Sequence, residues 1–268
     1  MILLGFAAAT NGMQALLDQN DSTANNIANV NTIGFKRERM SFKNIYDESV
    51  MQKLYDGTND SKKVGTLSVG SKVQKLTYDF TQGILNRTEC PFDLAIEGDG
   101  FFKVQTPKGD IAYTRNGSLA LDSKNFLINK EGDYILDQKS RKIKILTQGL
   151  RMHSSKDIMI TEDGQIQINN EINPLRYQQK IGIFDFANKE EMIAIGGAKY
   201  VPTAVNKNKE MVPKKFTIQQ GVLELSNTNI VREMINTINT SRSYEALSQN
   251  IKVANETLGE ALKVGRIS

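Results

Sequence analysis

The placement of proline constrains this chain more than any other feature. All five prolines, Pro91, Pro107, Pro174, Pro202 and Pro213, fall in its middle. Proline inside a helix removes a hydrogen bond and clashes with the preceding turn, so only the two proline-free ends can carry long helices. The opening end has the matching pattern. Phe6, Ala9, Met13, Leu16, Asn20, Thr23, Ile27 and Val30 alternate at heptad a and d spacing, a narrow apolar stripe suited to a partner helix. Asn20 is either a buried polar residue that fixes register at a cost in stability, or a solvated position in an imperfect seam.

The closing end repeats the theme over a greater length. Ser226, Asn227, Thr228 and Asn229 offer candidate N-caps, since their side chains can accept from the free amides of a first helical turn. Val231, Met234, Ile235 and Ile238 then form one apolar face, and Tyr244, Leu247, Ile251, Ala254, Leu258 and Ala261 continue the 3-4 spacing. The two sets are out of phase around Ser241-Arg242, which predicts a stutter. A helix from about residue 227 to 263 spans about 50 Å. It requires a matching surface along its length, and the opening helix is the obvious supplier.

Between the ends the period changes from helical to two. Phe102 and Val104 alternate with Lys103 and Gln105, and the pairs Ile143/Ile145, Ile158/Ile160, Ile166/Ile168 and Ile181/Ile183 repeat that spacing, as half-buried strands do. Asp163-Gly164 between two of these pairs predicts a hairpin turn. Phe42, Ile45, Tyr46, Val50 and Leu54 suggest a short amphipathic turn or helix, followed by a polar loop from Asp56 to Lys63. The expected class is therefore α+β: long N- and C-terminal helices pairing as a coiled-coil-like unit, with an all-β middle. The expected divisions are 1–33 for the first helix, 34–75 for an extended connection, 76–222 for the β domain and 223–268 for the last helix.

Chemistry is hard to build from this inventory. Cys90 and His153 are the only cysteine and histidine, so an intrachain disulfide is excluded and a cysteine–histidine metal site lacks ligands. The Asp56–Lys63 loop lacks the calcium-loop register and closing glutamate. Gly98-Asp-Gly-Phe-Phe102 lacks the lysine and spacing of a phosphate loop and reads as a turn feeding a strand. No enzyme activity, cofactor or metal is expected. The balance of 34 basic and 30 acidic residues gives only +4, without an aromatic-basic stripe, which argues against nucleic acid. Mean hydropathy is −0.39, and the apolar start Met1–Thr10 has no basic residue before Lys36, so no cleaved signal is expected.

Four stretches, in order, carry a family resemblance. They are Ala24-Asn-Asn-Ile-Ala-Asn-Val-Asn-Thr-Ile-Gly-Phe-Lys36; Phe80-Thr-Gln-Gly-Ile-Leu with Pro91-Phe-Asp-Leu-Ala-Ile-Glu-Gly-Asp-Gly-Phe-Phe102; Tyr113-Thr-Arg-Asn-Gly-Ser118; and Gln220-Gly-Val-Leu-Glu-Leu-Ser-Asn-Thr-Asn229 followed by Arg242-Ser-Tyr-Glu245. Together they resemble the flagellar rod and hook axial proteins of the FlgF/FlgG type. Cys90 stands where that family usually has asparagine, and the ending Leu258–Ser268 departs from its usual form.

The resemblance implies a structural subunit of the bacterial flagellar basal-body rod. It implies partners that are copies of itself, other rod subunits, hook protein and periplasmic and outer-membrane ring proteins. It also implies export through the flagellar type III gate and a place in a shaft that crosses the periplasm and transmits torque. Its inner contacts would come from Phe6, Met13, Leu16, Asn20, Ile27, Val30, Met234, Ile238, Leu247, Ile251 and Leu258. Its motif residues Asn25, Asn26, Asn29, Asn31, Gly34 and Phe35 would form the hinge where the inner helix turns outward, Gly34 allowing the bend. Two alternatives stay open: a hook subunit, and a β-rich ligand-binding or hydrolytic domain.

Overall fold

The computed structural model describes residues 2–47, 51–52, 62–63, 67–145, 158–168, 179–203, 209–213 and 215–264. His153 lies outside them. The chain is α+β and divides into two compact units. One comprises Met1–Ile27, Glu38–Leu76 and Ile230–Ser268, the other Ala28–Arg37 and Thr77–Asn229. The helical unit joins the two terminal helices with Glu38–Leu76, and the β unit takes in Ala28–Arg37.

In the helical unit, α1 runs Ile2–Ala28 and α2 runs Ile230–Val264. α1 stops where Asn29, Asn31 and Thr32 begin to compete for backbone hydrogen bonds. Thr32 donates its amide to the Asn29 carbonyl at 3.1 Å and its hydroxyl to the Asn29 side chain at 3.1 Å. The strand Glu38–Asp47 pairs with Leu67–Tyr78. This corrects the reading of Phe42, Ile45 and Tyr46 as a turn or helix. Their 3- and 4-residue spacing mimics a helical face, but aromatic and β-branched residues also fit a paired strand, and the pairing decides. Val50 and Leu54 lie outside the described residues. Of the polar stretch Asp56–Lys63, only Lys62 and Lys63 are described, paired with Met51–Gln52.

The β unit is built on a nine-stranded sheet. Its main path runs Met192–Gly196, Lys199–Pro202, Ile111–Thr114, Phe101–Gln105, Tyr134–Ile135, Leu127–Asn129 and Leu119–Leu121. Ile183–Phe186 joins it by pairing with both Phe101–Gln105 and Glu210–Met211. The strand Phe101–Gln105 is buried on both faces. Phe102 and Val104 enter an aliphatic core with Leu94, Ile96, Ile135, Ile181 and Ile218. Phe101 enters an aromatic one with Tyr113, Phe184, Phe186 and Tyr200.

Lys103, expected on a polar outer face, is also buried. It reaches Glu210 at 2.8 Å and lies 4.8 Å over the Phe184 ring, so its stem packs while its charge is paired. Glu210 also accepts from the Tyr113 hydroxyl. Burial and that carboxylate hold the Tyr113 phenol well above its usual range. The Asp163-Gly164 turn connects Ile158–Ile160 to Gln165–Ile168, with Gly164 at φ +82°, a backbone state glycine adopts without steric cost.

Candidate assembly site

The helical unit brings α1 and α2 together in antiparallel order. A Cβ at Gly12 would sit 3.4 Å from the Leu247 side chain. Further along α1, Leu16, Leu17 and Asn20 share a cleft of about 240 Å³ with Thr240, Ser241, Tyr244 and Glu245. As numbers rise on α1 they fall on α2.

Among the described residues of α2, the covered or half-covered positions are Glu233, Asn236, Thr237, Thr240, Tyr244, Leu247, Ile251, Ala254 and Leu258, which step by three and four from Thr237 onward. Every other residue from Ile238 to Glu260 is exposed. Seven-residue spacing keeps one stripe turned the same way along a helix. The expected stutter at Ser241-Arg242 is therefore absent. The two out-of-phase apolar sets lie on different faces of one unbroken helix. The first turns of the covered face are polar: Thr237 donates to the Glu233 carbonyl at 3.1 Å and Asn236 to the Glu233 carboxylate at 3.4 Å.

The candidate contact residues consequently separate. Phe6, Met13, Leu16, Asn20 and Ile27 on α1, and Leu247, Ile251 and Leu258 on α2, are half-buried, as is Val30 beyond α1. Met234 and Ile238 point elsewhere and are 50% and 52% exposed. Among the described α1 side chains the deepest are Ala15, Ser22, Thr23 and Asn26. Three of these four stand outside the apolar heptad. Small and self-bonded polar side chains permit close approach; Thr23, for example, donates back to the Gln19 carbonyl at 2.8 Å.

The asparagine motif splits between the units. Asn26, 2% exposed, clasps the backbone of Glu38. Its Nδ2 donates to the Glu38 carbonyl at 3.1 Å and its Oδ1 accepts the Glu38 amide at 2.8 Å. Asn25 donates to the Glu38 carboxylate at 2.6 Å. Burial pushes that carboxyl above its ordinary range, against hydrogen bonds from Asn25 and Ser22. The amides thus act as a fixed clasp at the end of α1, taking both backbone hydrogen bonds of one strand residue.

Gly34 and Phe35 belong to the β unit, where the structure builds a site that sequence reasoning did not nominate. Gly34, at φ +69°, donates its amide to the Glu224 carbonyl at 2.8 Å. A Cβ there would strike the Arg115–Asn116 backbone. Phe35 is buried beside it in sequence, and Lys36 is fully buried.

The Lys36 ammonium lies 2.6 Å from Glu224 Oε1 and 2.7 Å from the Thr81 carbonyl. Arg115 places Nη1 3.3 Å from Glu224 Oε2, donates Nη2 to the Gly98 carbonyl at 2.7 Å, and stacks 5.3 Å over Phe101. Glu224 also accepts the Gly83 amide at 2.9 Å. Burial lowers the Lys36 ammonium from its ordinary range, with Glu224 opposing it, and burial lowers Arg115 in the same way. Asn227 completes the clamp, accepting the Arg37 amide at 2.8 Å and donating to the Asp79 carbonyl at 2.7 Å.

The segment that follows α1 and the segment that precedes α2 are thus bolted to each other inside the β unit. The signal in the sequence was faint: Glu224 shares strand phase with the buried Val222, an inward position where a carboxylate needs a partner.

Three family models match in the order of these pieces. Residues 6–36 match the model of flagella basal body rod proteins. Residues 95–168 match that of the flagellar hook protein FlgE/F/G D1 domain, and residues 219–264 that of the flagellar basal body rod FlgEFG protein C-terminal region. Lys36, Arg115 and Glu224 fall one in each. Among similar proteins, the flagellar basal-body rod protein FlgG of Borreliella burgdorferi is 33% identical over 267 residues, covering 96% of this chain and 97% of its own length. FlgG of Bacillus subtilis is 30% identical, covering 99% of this chain and 100% of its own. FlgF of Mesorhizobium japonicum is 28% identical over 95% of both. The class is that of flagellar rod and hook axial proteins, which is structural rather than enzymatic. The chain belongs within it to the FlgF/FlgG-type basal-body rod family, as a structural rod subunit that works with other flagellar components.

Proposed function

We propose that this subunit is of the FlgG type and polymerises through its terminal helices into the shaft that carries torque from motor to hook. The observation that carries the reading is the antiparallel approach of α1 and α2, with Gly12 against Leu247 and covered positions at seven-residue spacing on α2. It supports a coiled-coil-like inner element made from the two ends. The FlgG relatives from B. burgdorferi and B. subtilis, matched over nearly their whole length, support the FlgG type. On this reading the partners are further copies, other rod subunits, hook protein and the ring proteins around the shaft. The rod spans the periplasm, and the subunit leaves the cell interior through the flagellar export gate without losing a signal peptide. Deleting the gene tests it. Cells should be non-motile, with basal bodies whose rod stops short. A complete rod lacking a hook would instead make this a hook subunit, and normal swimming would remove both readings.

A further inference from the structure

The helical unit leaves one face of α2 uncovered. Ile230, Val231, Met234, Ile235 and Ile238 are each at least 40% exposed, at steps of one, three and four that place them side by side over about two turns. Contiguous apolar patches of this kind mark contact sites. Beyond Ile238 that side of α2 turns polar, and Val253 is exposed alone. The stripe runs directly into the α1–α2 cleft, whose wall carries Leu17, itself 44% exposed. Thr240 and Ser241, the first α2 residues lining that cleft, follow Ile238 within one turn.

We infer that the α2 stripe of one copy seats in the α1–α2 cleft of the next, a head-to-tail contact between unlike surfaces of the same chain. The inference rests on the rod reading and adds which faces meet. Three observations favour it over stripe against stripe. The cleft, at about 240 Å³, has room for a large apolar side chain, and Met234 has the flexible stem that fills irregular gaps. Arg232 flanks the stripe and Glu245 lines the cleft, so stripe on cleft brings a basic and an acidic side chain to one contact, whereas stripe on stripe brings Arg232 from both copies to the same interface. Stripe and cleft are also continuous on each copy, so one contact leads into the next. A contact between unlike surfaces does not close on itself as a pair and can propagate as a helical array.

The test is disulfide trapping in flagellated cells whose only copy carries Cys90→Ser, Leu17→Cys and Met234→Cys. Within one chain the two cysteines are out of reach. Met234 lies six positions before Thr240, about 9 Å along the helix, beyond the span of a disulfide. Oxidation should yield a ladder of linked multimers that disappears when either cysteine is omitted. Dimers alone, formed equally well with Met234→Cys as the sole cysteine, would overturn the inference in favour of stripe on stripe.

A second arm uses full-length variants without cysteine changes. Met234→Asp should abolish swimming and Val253→Asp should preserve it, while both proteins accumulate with a protease-resistant β unit. Swimming by Met234→Asp, or an absence of linked multimers in swimming cells, also overturns the inference. Failure of the rod reading itself is distinct: the strain lacking the gene would then swim.

Discussion

The β unit and the helical unit treat their difficult groups in opposite ways. In the β unit, fully buried Lys36 and nearly buried Arg115 share Glu224, and each of the three has further backbone partners. In the helical unit, a covered face with polar residues at one end coexists with an apolar stripe open to solvent. In the β unit Lys36 and Arg115 are paired with Glu224 within the chain, with only Arg115 Nε of that cluster lacking a hydrogen-bond partner; in the helical unit apolar surface is left uncovered. A buried ion whose partner is removed is left at a cost of several kcal/mol, so such groups must be matched at folding. Exposed apolar side chains cost little until a second surface can cover them. The difference separates what completes the subunit from what the subunit leaves for assembly.

The sharpest way to break this comparison is Glu224→Leu, which leaves Lys36 and Arg115 facing each other. Denaturant unfolding of the β unit should show a loss of about 3–5 kcal/mol; an unchanged midpoint would mean the clamp does not complete that unit. Next is Gly34→Ala. The positive φ and the approach of the Arg115–Asn116 backbone should cost about 2–3 kcal/mol, measured by thermal unfolding. In the helical unit, Ile251→Asp puts a carboxylate in the half-covered face of α2. It should cost about 2 kcal/mol in helix pairing and stop assembly while the β unit still resists protease; retained motility would place Ile251 outside any contact.

Asn26→Ala removes both hydrogen bonds to Glu38 and should cost about 1–2 kcal/mol. Hydrogen exchange at the Glu38 amide should rise with it. Smallest is Met234→Ser, whose side chain is half exposed. Stability of the isolated chain should move by less than about 0.5 kcal/mol, and a larger loss would show the stripe to be covered within the subunit.

The candidate residues illustrate how far a linear pattern reaches. Leu247, Ile251 and Leu258 hold helical spacing and occupy the covered face of α2. Met234 and Ile238 hold the same spacing and face away from it. Periodicity reports that an apolar face exists, but a helix can have two, and which is turned to its partner depends on residues such as Glu233 and Thr240 that carry no apolar signal. The asparagines present the same problem in polar form. Asn25 and Asn26 were legible as unusual at a helix end, but the partner that fixes them, Glu38, follows a change of chain direction that no local rule specifies. Lys36, Arg115 and Glu224 were each visible inside quoted motifs. Nothing in a linear chain says that positions 36, 115 and 224 meet.

What the sequence by itself determined is the division into proline-free helical ends and a strand-rich middle, because backbone hydrogen bonding and side-chain periodicity act over a few residues. It also determined the family, through motifs preserved in order across the chain. Only the tertiary structure decided that the loop after α1 and the segment before α2 close on one carboxylate, that Phe42 to Tyr46 form a strand, and which face of α2 remains open. Those outcomes depend on burial and pairing between segments far apart in the chain, where desolvation sets the cost of every unmatched group.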